Sequence, residues 1–205
     1  MTAKRPSLRS VRAEPASRPR RGAPDETRRR LLAAAGVLLN RDGYDGTDSN
    51  RIAREAGYAP GTFYKHFADK KEALVAVYAE WVAEEWRGIE ALLAGELRGE
   101  ALARAVVALV IDLHRRWRGL RRALRSLASH DADVRRAYVA QRSAQLDTLA
   151  RLGSGRRTRA ADALLLYTLE RTADAIADGE PDALGIDEQA LVEQLVALLS
   201  LRATR

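Results

Sequence analysis

Residues 43–70, GYDGTDSNRIAREAGYAPGTFYKHFADK, decide the fold of this chain. They hold two short helical patterns joined by a tight turn around Gly57. Thr47 or Asp48 is a suitable N-cap for the first helix, and Pro60 suits the first turn of the second. The second helix is predicted to be barely two turns long. This layout is typical of a helix-turn-helix, in which the second helix lies in the major groove of DNA.

Helical periodicity extends on both sides of this stretch. A first helix is predicted from Pro24, where a proline followed by two acids favours a helix start, to Asp42. A fourth helix is predicted over residues 70–93, with Asp69 as its cap. The remaining predicted helices span residues 101–117, 120–129, 131–152, 157–178 and 187–202. Because no segment shows strand-like alternation, the expected fold is all-α, with a three-helix N-terminal helix-turn-helix domain and a helical C-terminal domain.

Charge and composition divide the chain into three parts. Residues 1–23 carry seven basic groups against one acid, whereas residues 24–80 carry nine of each sign, so the net charge of +7 comes mainly from the first segment. That segment is poor in large apolar residues and is expected to be a disordered basic arm. It either contacts DNA phosphates or remains a solvated extension. The predicted domains are residues 24–70 for DNA binding and 71–205 for ligand binding and dimerisation.

Composition also argues against several classes of protein. With no cysteine and three histidines in 205 residues, the chain offers no disulfide and no thiolate zinc site. It also lacks metal-ligand spacing and a phosphate-binding glycine loop, so no cofactor, no metal and no catalytic residues are expected. No apolar run is long enough for a membrane span, and no apolar signal core follows the basic N-terminus. A cytoplasmic protein that does not contact membranes is therefore expected.

Residues 27–77 resemble the DNA-binding domain of TetR-type (TetR/AcrR) transcriptional regulators. The matching elements, in the family's order and spacing, are Leu31-Leu32-Ala33-Ala34-Ala35, Gly43-Tyr44, Ile52-Ala53, Ala56-Gly57, Gly61-Thr62-Phe63-Tyr64, His66-Phe67 and Lys70. Two positions depart from the family pattern. Ala59 stands where a Ser or Thr cap is usual, and Ser49 stands where an apolar residue or threonine is common.

The resemblance implies a set of DNA-contacting residues on the second helix, the third helix and the start of the fourth. They are Thr47, Ser49, Asn50, Pro60, Gly61, Thr62, Tyr64, Lys65, His66 and Lys70. Asn50 is expected to reach a base edge, Gly61 to allow close backbone approach, and Lys70 to bind a phosphate together with the amide ends of its helix. Simpler roles remain open. Tyr64 would then cover the core, His66 would make a structural hydrogen bond, and the lysines would be solvated charges.

The C-terminal domain has two apolar stripes near its end. Residues 160–177 and 191–199 carry them, and the resemblance implies that the last two helices pair with those of a second copy in a homodimer. The alternative is that they close the core of a monomer. The arginine-rich segment 115–125 is expected to form a solvated face.

The other C-terminal helices are predicted to enclose an apolar or aromatic small-molecule effector with one polar handle. The candidate lining residues are Trp86, Val110, His114, Trp117, Tyr138 and Tyr167. For His114, a satisfied core histidine is the competing interpretation.

The sequence thus predicts a ligand-responsive repressor that binds a palindromic double-stranded operator as a homodimer. The effector would act by population shift, favouring a conformer whose two recognition helices are wrongly spaced for DNA. Two alternatives stay open. One is a DNA-coating protein without a defined operator, and the other is a small helical enzyme. Competition with random DNA distinguishes the first from a specific regulator.

Overall fold

The computed structural model describes residues 24–152 and 158–203, and within these ranges all regular structure is helical. The predicted arm, residues 1–23, and the predicted break at residues 153–155 lie outside the described residues. The helices are α1 (Pro24–Asp42), α2 (Ser49–Glu55), α3 (Pro60–Phe63), α4 (Lys70–Ala94), α5 (Gly99–Arg116), α6 (Arg118–His130), α7 (Ala132–Leu152), α8 (Arg159–Asp178), α9 (Glu180–Ala183) and α10 (Glu188–Ala203). The all-α fold class is confirmed.

The N-terminal helices share one apolar core. The stripe of α1 that includes Leu31 and Leu38 is buried against Ile52 of α2 and against Phe63 and Phe67, whose ring centroids lie 5.4 Å apart. Burial of a side chain of this size stabilises the fold by about 1.5–3 kcal/mol. The four-residue spacing of the two phenylalanines therefore turns them together towards α1 and leaves the opposite side of the segment free.

Helix α4 joins the N-terminal helices to the rest of the protein without a linker. Its N-cap, Asp69, accepts a hydrogen bond of 2.8 Å from the backbone N–H of Glu72, and the Glu72 carboxylate accepts one of 2.6 Å from the N–H of Ala68. This reciprocal capping box fixes where the helix starts. At 25 residues, α4 is about 37 Å long, so it reaches from the N-terminal helices deep into the C-terminal helices.

A second connection joins the end of α1 to the junction of α5 and α6. The side-chain amide of Asn40 donates to the carbonyl of Arg116 at 2.8 Å, and its oxygen accepts from the N–H of Leu120 at 3.1 Å. A Cβ on Gly119 would lie 1.8 Å from the Asn40 carbonyl oxygen. Only glycine permits this approach, so α1 and α6 are in direct backbone contact at this point.

Helix boundaries differ from expectation at two places. Helix α3 ends at Phe63, short of two turns, and residues 64–66 form a turn. Residues 179–185, predicted as a plain break, contain the one-turn helix α9 between glycines of positive φ. Helix α8 ends at Gly179 because its φ of 75° is readily adopted by glycine. No helix in residues 24–152 and 158–203 is long and apolar enough to cross a membrane.

Candidate nucleic-acid interface

The N-terminus of α2 is held by two local contacts. Asp48 is the N-cap and accepts from the N–H of Arg51 at 2.8 Å, and the Arg51 guanidinium lies 2.6 Å from the Asp42 carboxylate. Hydrogen bonds from Arg41, followed by those from Arg51, lower the pKa of Asp42 to about 2. The carboxylate is therefore ionised at neutral pH, and α2 is anchored to the end of α1.

Thr47 is placed inside the α1–α2 loop. Its side chain is 1% exposed, and its hydroxyl donates to the carbonyl of Gly43 at 2.9 Å. The hydroxyl that was predicted to contact DNA therefore closes this loop. The next two residues differ, since Ser49 is half-buried and Asn50 is exposed on the first turn of α2.

The turn between α2 and α3 places the second helix. Gly57 adopts φ +81°, which glycine tolerates without strain, and the N–H of Tyr58 donates to the carbonyl of Ala53 at 2.8 Å. Ala59 caps α3 without a side-chain hydrogen bond, as its methyl group requires. Pro60 then supplies the first helical residue.

The predicted contact residues of α3 and the following turn share an accessible surface. Pro60, Gly61, Tyr64 and Lys65 are exposed, and Thr62 and His66 are half-buried. A Cβ added at Gly61 would find nothing within 4 Å, so the backbone there is open to close approach. Tyr64 is 58% exposed, with its ring edge-on to Phe63 at 5.5 Å. Tyr64 is therefore held by the core and also reaches solvent.

Lys70 is engaged by the protein itself. Its ammonium donates to the carbonyls of Tyr44 at 2.7 Å and Thr47 at 2.9 Å, and it lies 4.0 Å from the centroid of the Tyr44 ring. These contacts close the α1–α2 loop against α4. A phosphate that binds Lys70, as predicted, would therefore compete with these two carbonyls, which lie 26 and 23 residues earlier in the chain.

A cleft of about 510 Å³ lies beside this surface, and we call it the α2–α4 cleft. Its lining includes Ser49, Asn50, Tyr64, Lys70, Lys71 and Asp131. It therefore brings residues predicted to read DNA together with Asp131, which lies between α6 and α7. The sequence gave no reason to join these segments, because Lys71 and Asp131 are 60 positions apart.

Arg28 is a second cation that the sequence analysis did not single out. Its guanidinium lies 4.8 Å from the centroid of the Phe67 ring, at the end of the α3–α4 turn. Its neighbours Arg29 and Arg30 both pair with Glu26, whereas within the described ranges Arg28 makes no ion pair. In the sequence, only its position four residues before the apolar Leu32, which is buried, could have pointed to Arg28.

The interior of the C-terminal helices contains charge instead of a uniformly apolar core. We call this set the buried ionic cluster. Its members come from α4, α5, α6, α7 and α8 and are Glu85, His114, Arg121, Arg142, Glu170 and Asp174.

Arg121 and Asp174 form the centre of the buried ionic cluster. The Arg121 Nε lies 2.5 Å from one Asp174 oxygen, and its Nη2 lies 3.0 Å from the other. Arg121 also reaches Glu170 at 3.3 Å and stacks over the Trp81 ring at 4.6 Å. Because Arg121 is 5% exposed, the expectation that segment 115–125 is a solvated face was wrong at this residue.

His114 lies between two carboxylates. Its Nδ1 is 3.0 Å from Asp174 Oδ1, and its Nε2 is 3.4 Å from Glu85 Oε2. The second contact is within ion-pair distance, yet neither of its two atoms has a hydrogen-bond partner among the described residues. His114 is fully buried, so it belongs to the ionic cluster and offers no surface to solvent.

Burial and ion pairing act in opposite directions on the carboxylates of this cluster. Burial would raise the pKa of Asp174, but hydrogen bonds from His114 and Arg121 outweigh it and hold that pKa far below the usual range. In Glu170, burial is likewise outweighed by the charges of Arg142 and Arg121, which lower its pKa. Both groups are ionised in the folded protein at neutral pH.

The six predicted ligand residues do not line one common surface. Val110 and Trp86 are buried, and Trp117 packs against α1, with a ring carbon 3.2 Å from the place of a Cβ on Gly36. Tyr138 stacks on Tyr78 at 5.9 Å, and its hydroxyl oxygen accepts from Arg142.

Tyr167 is placed differently again. Its side chain is 55% exposed on the outer side of α8. Tyr167 is therefore not placed with the buried residues of the C-terminal helices, where the predicted pocket would lie.

The comparisons with known proteins agree with this geometry. The family model for bacterial regulatory proteins of the tetR family matches residues 31–77. The fatty acid metabolism regulator protein of Bacillus subtilis is 29% identical over 84 residues, which is 41% of this chain and 41% of that protein. An HTH-type transcriptional regulator of Staphylococcus aureus is 40% identical over 47 residues, 23% of this chain and 25% of that protein. The chain thus spans less than half the length of these curated relatives.

Solved structures extend the likeness to the C-terminal helices. The fatty acid degradation regulator of Bacillus halodurans aligns over 85% of this chain and 94% of its own, with a TM-score of 0.63 and 18% identity. A transcriptional regulator of the TetR/AcrR family from Thermobifida fusca aligns over 85% and 97%, with a TM-score of 0.58 and 19% identity. At these identities the likeness is one of fold. Residues 31–77 therefore match the tetR family of bacterial regulatory proteins, and the described chain as a whole shares the all-helical fold of these solved structures.

Proposed function

We propose that this protein is a DNA-binding transcriptional regulator that represses its target genes, and that it has no catalytic activity. The observation that carries the proposal is the accessible surface of α2 and α3. Asn50, Gly61, Tyr64 and Lys65 are exposed on a helix pair whose other side is buried against α1. The exposed amide of Asn50 suits a base edge, and the cation of Lys65 suits a phosphate. The open backbone at Gly61 allows either to come close. A regulator of this kind acts in the cytoplasm.

Homodimer formation through α8 and α10 is part of the proposal. Leu164 and Tyr167 on α8 and Leu198 on α10 are 53%, 55% and 50% exposed. By contrast, Ile176 and Leu195 of the same helices are buried within the chain. Each apolar stripe therefore divides into an inner and an outer face, and the outer faces support pairing with a second copy. A dimer would present two recognition helices to the half-sites of a palindrome.

An effector that binds the C-terminal helices would control DNA affinity. The α1–α6 connection through Asn40 and the long helix α4 both lead from these helices to the helix-turn-helix. Fatty acids are the first effectors to test, because two of the similar proteins are named for fatty acid metabolism and degradation. The apolar chain of such a ligand would have to lie away from the buried ionic cluster, since charges there would lose their partners.

Selection of bound DNA from a random pool at fixed salt tests the proposal. We expect one palindromic sequence that binds the wild type at least about a thousandfold more tightly than random DNA. Thr62→Ala and Lys65→Ala should each weaken binding by about 1 kcal/mol or more, with the melting temperature unchanged. Arg171→Ala, which removes an exposed cation from α8, is the matched control and should bind as the wild type does.

Two results would contradict the proposal. Equal affinity for selected and random DNA would support the DNA-coating alternative. Parallel loss of binding and of thermal stability in Thr62→Ala and Lys65→Ala would mean that these residues serve the core and not the interface.

A further inference from the structure

An ion-pair group connects the start of α4 to the start of α7 at the edge of the DNA-binding segment. The Lys71 ammonium lies 3.1 Å from Asp131 and 3.1 Å from Asp133. We call these three residues the acidic clasp. Lys71 is the second residue of α4, directly after the predicted DNA-binding domain, whereas Asp131 lies between α6 and α7 and Asp133 in the first turn of α7. The acidic clasp therefore ties the start of α4 to the C-terminal helices at the border of the two predicted domains.

The acidic clasp borders the surface that the proposed function assigns to DNA. Lys71 and Asp131 line the α2–α4 cleft together with Ser49, Asn50 and Tyr64. A phosphate that approaches these three residues would come close to the Lys71 ammonium. The other lysine of the cleft, Lys70, is occupied by the backbone carbonyls of the α1–α2 loop.

The carboxylates of the α2–α4 cleft outnumber its lysines, so in this structure the cleft repels a phosphate. Its lining holds two lysines against three aspartates, Asp48, Asp69 and Asp131, and Asp133 adds another carboxylate beside Lys71. Asp48 and Asp69 are committed to capping α2 and α4. The two carboxylates supplied by the C-terminal helices are therefore the ones that neutralise the cation of this cleft.

The ion pairs of the acidic clasp join charged groups, but each pair is weak. Hydrogen bonds to Asp131 and Asp133 raise the pKa of Lys71, and backbone hydrogen bonds followed by Lys71 lower the pKa of Asp131. Lys71 and Asp131 are thus both charged at neutral pH. Lys71 and Asp131 each keep 27% of their side-chain surface exposed, and ion pairs of this exposure are weak. A DNA phosphate can replace the aspartates at small cost.

We propose that Asp131 and Asp133 restrain operator binding by holding Lys71, and that release of Lys71 adds one phosphate contact. The inference rests on the proposed function as a DNA-binding regulator. Helix α7 carries the restraint, because its first turn holds Asp133 while Tyr138 and Arg142, further along the same helix, contact the buried ionic cluster. A shift of α7 by an effector would therefore move the aspartates relative to Lys71.

The test measures affinity for the selected operator between 50 and 200 mM salt. Asp133→Asn and the double variant Asp131→Asn with Asp133→Asn should bind more tightly than the wild type. Their slope of log affinity against log salt should steepen by about 0.9, which is about threefold more affinity lost across this range. Adding Lys71→Met to the double variant should abolish both changes.

Asp147→Asn is the matched control. It removes one exposed carboxylate from α7, where Asp147 pairs with Arg159. Fourteen residues separate it from Asp133, about 21 Å of helix and more than a Debye length at these salt concentrations. Its affinity and salt slope should equal those of the wild type. An equal gain in Asp147→Asn would show a general charge effect and overturn the inference.

The remaining outcomes separate the inference from the proposed function. If the wild type binds its operator and Asp133→Asn and the double variant bind equally well or more weakly, the restraint does not exist. Asp131 also accepts hydrogen bonds from the N–H groups of Asp133 and Val134, so the single variant Asp133→Asn keeps the test valid if the double variant misfolds. If the wild type selects no DNA sequence, the proposed function fails and the inference fails with it.

Discussion

Arg121 offers a severe test of the buried ionic cluster. Its guanidinium makes hydrogen bonds of 2.5 and 3.0 Å to Asp174 and one of 3.3 Å to Glu170, and it is 5% exposed. Arg121→Met retains most of the volume over the Trp81 ring but removes the charge. Asp174 and Glu170 then lose a cation inside the protein, where water cannot replace it.

The expected loss is about 3–5 kcal/mol of the free energy of unfolding, the range for removing one partner of a buried ion pair. Remaining partners keep it from being larger, since His114 still contacts Asp174 and Arg142 still contacts Glu170. With a urea m-value of about 2 kcal/mol/M, a 4 kcal/mol loss lowers the unfolding midpoint by about 2 M.

Arg122→Met is the matched control, because the neighbouring residue has the opposite environment. The Arg122 side chain is 54% exposed and pairs only at the surface, with Asp178 at 2.8 Å. Its loss should cost no more than about 1 kcal/mol. Both variants are compared with the wild type by urea denaturation at one protein concentration, since the proposed dimer would make stability concentration-dependent. A cost below about 1 kcal/mol for Arg121→Met, or equal costs for the two variants, would refute the reasoning.

Three further predictions concern other parts of the molecule. Gly119→Ala should destabilise the protein by at least about 1–3 kcal/mol in thermal melting, since its Cβ would lie 1.8 Å from the Asn40 carbonyl oxygen; Gly61→Ala, with open space around it, should melt as the wild type does. Tyr167→Glu should raise the dimer dissociation constant at least about tenfold, or about 1.4 kcal/mol, and an unchanged mass in light scattering at micromolar concentration would exclude α8 from the dimer contact. The depressed pKa of Asp174 lies below the unfolded value of about 3.9, so its ion pairs stabilise the fold above that pH and are lost as the pH falls further. The melting temperature should therefore fall more steeply below pH 4 in the wild type than in Asp174→Asn, and parallel acid limbs would contradict this assignment.

Local signals in the sequence were sufficient for the helix-turn-helix. The burial of Phe63 and Phe67 follows from their spacing, and the caps at Asp48 and Asp69 follow from side chains that hydrogen-bond within their own turn. Gly57 marks a positive φ that glycine readily adopts. The same local reasoning overestimated the length of α3, which ends at Phe63 and is followed by a turn at residues 64–66.

Partners distant in sequence explain why several predicted site residues are engaged elsewhere in the structure. Thr47 and Lys70 carry groups that suit DNA phosphate, yet the first closes its own loop and the second donates to carbonyls more than 20 residues away. Tyr167 was placed with the internal residues because one apolar stripe cannot show which part faces a neighbouring helix and which part faces outward.

The sequence alone determined the class of this protein. It specified an all-α chain with a helix-turn-helix at residues 43–70, because helix periodicity, capping and glycine turns are encoded within a few residues. The tertiary structure decided how charge is used. It buried Arg121 with Asp174 and Glu170, held Lys70 in the α1–α2 loop and paired Lys71 with Asp131. Helix periodicity shows whether a residue faces inward or outward. Which charged side chain of another helix it then contacts depends on how helices that are distant in sequence pack together.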